Sequence, residues 1–198
     1  MANATTATKA SARKRRADAD RSVAAILDAA LEALASDPDS SMSEIARRAG
    51  VVRATVYVHF PTRTDLLDAV MDYAVGMVVE AMKSAEPQRG EPVEALVRVL
   101  RATWRQLAQF HGLLALNMSR LSAEELQRRH RPMLDQLEPL IKRGQKKDVF
   151  RRDLPVVWHL AVLRAIVHAA STEIRGGRLP ESEAEAAMLS TAISAISP

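Results

Sequence analysis

The stretch SMSEIARRAGVVRATVYVHFPTR, Ser41 to Arg63, decides how this chain of 198 residues is read. Ser41 is placed to cap the N-terminus of a helix, and Glu44 completes a capping box with it. Ile45 and Ala49 give that helix an apolar face, and Gly50 stops it as a left-handed residue just past the end. Val51 is the apolar residue such a turn buries. A second helix is expected from Val52 to Phe60, with Val56 and Phe60 one turn apart and facing inward. Arg53, Thr55, Tyr57 and His59 remain as the polar groups of this very short helix. Two short helices with a tight turn between them make a helix-turn-helix, whose second helix enters the major groove of DNA.

Working outward, a preceding helix is expected from Asp20 to Ala35, where Val23, Ile26, Leu27, Ala30, Leu31 and Leu34 keep helical spacing. Asp37-Pro38-Asp39-Ser40 ends it. After Pro61-Thr62 a long helix runs to about Ala85, joining the first domain to the rest as one rod. Further helices are expected at 92–110, 113–118, 123–143, 155–174 and 180–196, with Gly144 ending the third of these. Hydrophobic residues make up 47% of the chain and glycines number only 7, which suits packed helices, and β-branched runs are scarce. The fold class is therefore all-α: an N-terminal three-helix DNA-binding domain over 20–66 and a helical bundle over 67–198 for ligand binding and dimerisation.

Residues 41–63, with Leu66-Leu67 beyond, resemble the DNA-binding domain of the TetR (tetracycline-repressor-like) family of bacterial regulators. The likeness rests on Glu44-Ile45-Ala46, Ala49-Gly50-Val51, Thr55-Val56-Tyr57-Val58-His59-Phe60 and the basic Arg63, each at its family spacing. It covers roughly Arg21 to Tyr73. The resemblance implies that Tyr57 and His59 grip backbone phosphates and that Arg63 does so from the start of the fourth helix. It puts Arg53, Ala54 and Thr55 at the tip of the recognition helix, with Ser43, beside the capping Ser41, as a second route to a base edge. Of these, only Arg53 can read guanine bidentately. One departure stands out: the family's frequent serine after Gly50-Val51 is Val52 here, and valine cannot cap.

Residues 1–16 hold Lys9, Arg13, Lys14, Arg15 and Arg16 and no acid; the remainder is nearly balanced, 23 basic against 24 acidic. Residues 1–19 are expected to form a disordered basic arm, with Arg13, Lys14, Arg15 and Arg16 on DNA or serving as a solubilising leader. With no cysteine, disulfides and thiolate metal sites are excluded. No apolar leader opens the chain, and His159, Arg164 and His168 interrupt its longest apolar run, so a cytoplasmic location is expected. None of the five histidines sits in a metal-binding motif, and no nucleophile or phosphate-loop pattern occurs, so neither an enzyme nor a cofactor is expected.

From Leu154 to Ala170 the apolar positions surround the helix, which calls for burial on two sides. Val157, Trp158, Ala161, Val162, Ala165 and Ile166 form one face, expected on the core. Leu160, Leu163, Val167 and Ala170 form the other, expected on a second subunit, with Met188, Ala192 and Ile193 of the last helix adding to it. The alternative is a helix buried wholly within one subunit. The resemblance likewise implies a two-fold dimer, and hence a pseudo-palindromic operator in double-stranded DNA. A pocket for a small apolar or aromatic effector is expected from Trp104, Phe110, His111, Leu114, Met118, Met133, Leu137 and Trp158, unless these simply make the core. The reading is a transcription regulator, a repressor whose effector favours an arrangement that misplaces the recognition helices. The alternative is a constitutive or architectural DNA-binding protein.

Overall fold

The structure, a computed structural model, describes residues 2–108 and 122–198, and it is helical throughout them. In chain order the helices are α1 (Ala2–Ser36), α2 (Met42–Arg48), α3 (Arg53–His59), α4 (Arg63–Ser84), α5 (Pro92–Ala108), α6 (Ala123–Lys146), α7 (Val156–Arg175) and α8 (Glu181–Ile196). Two compact units divide them, residues 1–73 and 74–198, and α4 contributes to both. The boundary expected after residue 66 thus falls later, because Leu66, Leu67, Val70 and Met71 are all buried before it is reached.

Helix α1 begins at Ala2 rather than near Asp20, so the stretch expected as a disordered arm continues the helix. Alanine, lysine and arginine are strong helix formers, and neither glycine nor proline interrupts residues 2–36. The side chains of Arg13, Lys14, Arg15 and Arg16 lie outside the described residues. Ile26, Ala30, Leu31 and Leu34 form the buried stripe of α1, as their spacing requires, and Ile45, Val56 and Leu66 are enclosed in the same unit. Tyr73 on α4 donates its hydroxyl to Asp28 on α1 at 2.6 Å.

The second unit has a core built on Leu96, Leu100, Leu140, Ile141, Phe150 and Leu163. Gly144 does not end α6, which runs on to Lys146. It is there for clearance: a β-carbon at Gly144 would overlap the Phe150 ring, which folds back against it. Val149 and Phe150 both donate their N–H to the Gly144 carbonyl, at 3.1 and 3.2 Å.

Helix α7 reverses the expected faces. Leu160, Leu163, Val167 and Ala170 are buried in the core of their own subunit, together with Met188 and Ala192 of α8, while Ile193 packs part-buried against that core. They are not available to a second subunit. Of the face expected inside, Val157 is 71% and Trp158 54% exposed and Ala165 is open, as is Ala169 one turn on, whereas Ile166 packs part-buried against the core. The bulky branched Leu160 and Leu163 fill the core, and the outer face keeps small alanines between Trp158 and the helix end.

Candidate nucleic-acid interface

Ser41 sits in extended backbone and accepts the Glu44 N–H on its hydroxyl at 3.2 Å, which opens α2. Only this half of the capping box forms. The Glu44 carboxylate turns to Arg47, at 2.9 and 2.6 Å, and to Arg48, at 2.8 Å. Hydrogen bonds from these two guanidiniums, Arg47 first, lower the Glu44 pKa to about 2. Ser43 is exposed on the same helix. At the far end Gly50 takes φ 68°, and the N–H groups of Gly50 and Val51 bond to the carbonyls of Arg47 and Ala46 at 3.2 and 3.0 Å. This pair of bonds is a Schellman closure, and a residue with a β-carbon would be strained at Gly50.

Helix α3 then runs with Val56 fully buried and Phe60 nearly so, which fixes its azimuth. Val52 occupies the N-cap, and its side chain makes no cap hydrogen bond. The Thr55 N–H bonds instead to the Val52 carbonyl at 2.9 Å. Arg53, Ala54 and Tyr57 are exposed; Thr55 and His59 are half-buried. Arg53 donates to the Tyr57 hydroxyl at 3.1 Å, and its guanidinium carbon lies 5.2 Å from the centre of the tyrosine ring. Stacking on an aromatic face and a hydrogen bond together hold the guanidinium on the outer side of the helix, where its remaining donors point to solvent.

Arg63, expected on a phosphate, is occupied within the domain. Its guanidinium donates to the carbonyls of Ser40 and, at 2.8 Å, Pro38. It thereby ties the start of α4 to the loop that leads into α2. The sequence offered no signal for this brace, because both acceptors are main-chain oxygens far away along the chain. Missed as well was Val58, a large apolar residue that α3 leaves 76% exposed beside Tyr57. The alternation of types around Val56 could have found it, since the residue two beyond an inward-facing helical position points away from the core.

Four arginines against one carboxylate within Ser41–Arg63 give this surface a positive balance. A helix of this length fits the major groove, and phosphates would meet arginines. The arrangement bound to it supplies hydrogen-bond donors and positive charge. It holds no pair of groups poised for proton transfer or nucleophilic attack.

Residues 26–70 match the model of bacterial regulatory proteins of the tetR family, and residues 92–196 match the tetracyclin repressor-like C-terminal domain. The chain belongs to the TetR family. As a TetR protein it is a DNA-binding transcription regulator rather than an enzyme. It is similar to the HTH-type transcriptional repressor LfrR of Mycolicibacterium smegmatis, with 42% identity over 79 residues, 40% of this chain and 41% of LfrR. It is similar also to the HTH-type transcriptional regulator NfxB of Pseudomonas aeruginosa, with 26% identity over 159 residues, 79% of this chain and 84% of NfxB. Among solved structures, LfrR in complex with proflavine superposes with a TM-score of 0.62 at 26% identity, covering 90% of this chain and 98% of LfrR.

The effector-pocket residues expected of a TetR protein scatter. Trp104 and Leu137 are buried in the core of the second unit, Met133 packs part-buried against it, and Trp158 lies on the surface. Phe110, His111, Leu114 and Met118 lie outside the described residues. Of the four within the described residues, only Trp104 borders the groove of about 480 Å³ between α5 and α8, which Arg101, Arg105, Glu181 and Glu185 also line. There Arg101 pairs with Glu185 at 2.7 Å. Elsewhere in the unit His159 is buried, its Nδ1 3.2 Å from the Pro155 carbonyl. His168 and His130 meet at 3.2 Å between their Nε2 atoms. His130 Nδ1 lies 2.7 Å from the Leu126 carbonyl and so carries a proton, which leaves its Nε2 to accept from His168. Among the described residues no helix is long and apolar enough to cross a membrane.

Proposed function

We propose that this regulator is a sequence-specific repressor that binds a pseudo-palindromic operator as a homodimer and releases it when a small effector binds the second unit. One observation carries the DNA half of this reading: Arg53, held by Tyr57 on the outer side of a helix whose inner side is anchored by buried Val56. A guanidinium presented in this way can pair bidentately with guanine O6 and N7. Ser41, Ser43, Thr55 and His59 are the polar groups around it.

For the dimer, the exposed face of α7, from Val157 and Trp158 through Ala161, Val162 and Ala165, takes the role first expected of its opposite side. An aromatic anchor beside small residues suits the close packing of one helix on its two-fold mate. A two-fold pair of recognition helices calls for half-sites one helical turn apart, about 34–36 Å, or wider.

The effector acts by population shift: it must bind the released state more tightly than the operator-bound one. LfrR in complex with proflavine makes an aromatic organic molecule the first class to try. The burial of Trp104 and Leu137 in the core favours a second reading, constitutive DNA binding without an effector.

The test is binding of the full chain to a labelled fragment of its own upstream region, at two salt concentrations, with random DNA as competitor. Tight binding that survives competitor is the expected result, and release by proflavine or a related compound would establish response to an effector. Binding equal to that of random DNA would set aside a sequence-specific role at that site.

A further inference from the structure

We propose that Val58 and Ala54 form a thymine-reading stripe on the recognition helix, placed beside Arg53. This inference rests on the sequence-specific DNA-binding reading above. A single open apolar side chain is ordinary on a protein surface, but Val58 stands opposite the buried anchor of the recognition helix, on the side that would enter the groove. Val58 is open although Val56, two residues earlier, is wholly buried. Ala54 and Val58 are one turn apart and both exposed, so they share a face. Arg53 and Tyr57, also one turn apart, form the neighbouring face through their hydrogen bond. The outer surface of α3 is therefore two stripes in parallel, one a fixed guanidinium and the other apolar.

Major-groove chemistry gives this pairing a meaning. The only apolar group that a base pair presents there is the C5-methyl of thymine, and guanine offers the two acceptors that fit arginine. The charge of this unit favours a polyanion: its helix-turn-helix carries exposed Arg47, Arg48 and Arg53 against the one carboxylate of Glu44, which Arg47 and Arg48 share. A second copy of this chain would bring its own arginines against them. The occupant is thus duplex DNA with a thymine next to the base that Arg53 contacts.

The test begins by selecting duplexes from a random pool with the full-length protein. Each thymine of the selected site is then replaced singly by deoxyuridine, which removes only the methyl group. Binding is measured for the wild type and for Val58→Ala, an exposed change whose folding is checked by its melting temperature. At one thymine per half-site, removing the methyl should weaken wild-type binding about fourfold, the loss expected for uncovering one buried methyl. The same replacement should cost Val58→Ala clearly less, because the partner of the methyl has been trimmed. The proposal is overturned if no thymine is sensitive, or if a sensitive one stays equally sensitive in Val58→Ala. It is overturned too if Val58→Ala changes the sedimentation mass of the free protein, which would assign the stripe to self-association. Failure to enrich any sequence sinks the sequence-specific reading and this inference with it, whereas enrichment without methyl dependence sinks this inference alone.

Discussion

Among the described residues, large apolar side chains stand open on α3 and on α7, and their surroundings differ. On α3, Val58 stands in a helix-turn-helix that also carries exposed Arg47, Arg48 and Arg53. On α7, Val157 and Trp158 stand among alanines, with Ala161, Ala165 and Ala169 following at helical spacing. Charge repels a second copy from the first surface and attracts a polyanion. Small uncharged neighbours let another helix approach the second surface, where an aromatic side chain can be desolvated without stranding a charge. Exposure alone does not name a partner; the residues around the exposed group do.

The sharpest way to break this contrast is Trp158→Glu. In a two-fold interface the substitution enters twice, at about 2 kcal/mol or more each, so the dimer Kd should rise on the order of a thousandfold or more. Sedimentation would then find monomer where the wild type is dimer; an unchanged mass would move the interface elsewhere. Next in size is Arg53→Ala, which should cost about 1–3 kcal/mol of discrimination at one base pair and alter the sequences selected from a random pool. Selection of the same sequences would remove base reading from Arg53.

Arg63→Ala separates bracing from phosphate contact. With its guanidinium gone, the carbonyls of Ser40 and Pro38 lose their partner, and the first unit should lose about 1–3 kcal/mol of stability in urea. DNA affinity lost with no change in stability would make Arg63 a phosphate ligand only.

A further effect is in pH. Burial, then the charges of His130, Arg164 and Arg175, lower the pKa of His168 to about 4. Below the ordinary histidine value of about 6.5 the unfolded chain takes up a proton that the folded one refuses. Stability of the second unit should therefore fall from about pH 6.5 down to about pH 4 and then level off. In the first unit Glu44 acts in the same direction at lower pH: its folded pKa, about 2, is below the ordinary 4.5, so its contribution is present at neutral pH and is lost as pH falls from about 4.5 toward 2. Both tryptophans, Trp104 and Trp158, belong to the second unit, so their fluorescence reports that unit alone. His168→Gln should flatten its decline between pH 6.5 and 4; an unaltered curve would assign the decline to other groups.

The helix-turn-helix was legible in the sequence because each of its residues has one physical option. Gly50 must supply the left-handed turn, and Val56 and Phe60 are the apolar pair that α3 turns inward. The C-terminal half was legible as helices but not as faces. From Leu154 to Ala170 apolar residues surround the helix, so periodicity offers two inward sides and cannot choose between them; the fold turns Leu160 and Leu163 inward and leaves Trp158 outside. Gly144 misled for a related reason, since glycine serves equally to end a helix or to admit an aromatic ring. Bonds to main-chain oxygens, such as those of Arg63 to the loop before α2, leave no trace in residue types at all.

One measurement bears most directly on the contrast between the two surfaces: sedimentation velocity of the full chain with a selected duplex, at about 50 and about 200 mM salt. The account expects protomers bound in pairs at low salt. At high salt the duplex should leave while the protein remains a dimer, because screening weakens arginine–phosphate contacts and spares an apolar helix pair. A protein that is monomeric throughout, or a complex indifferent to salt, would contradict it.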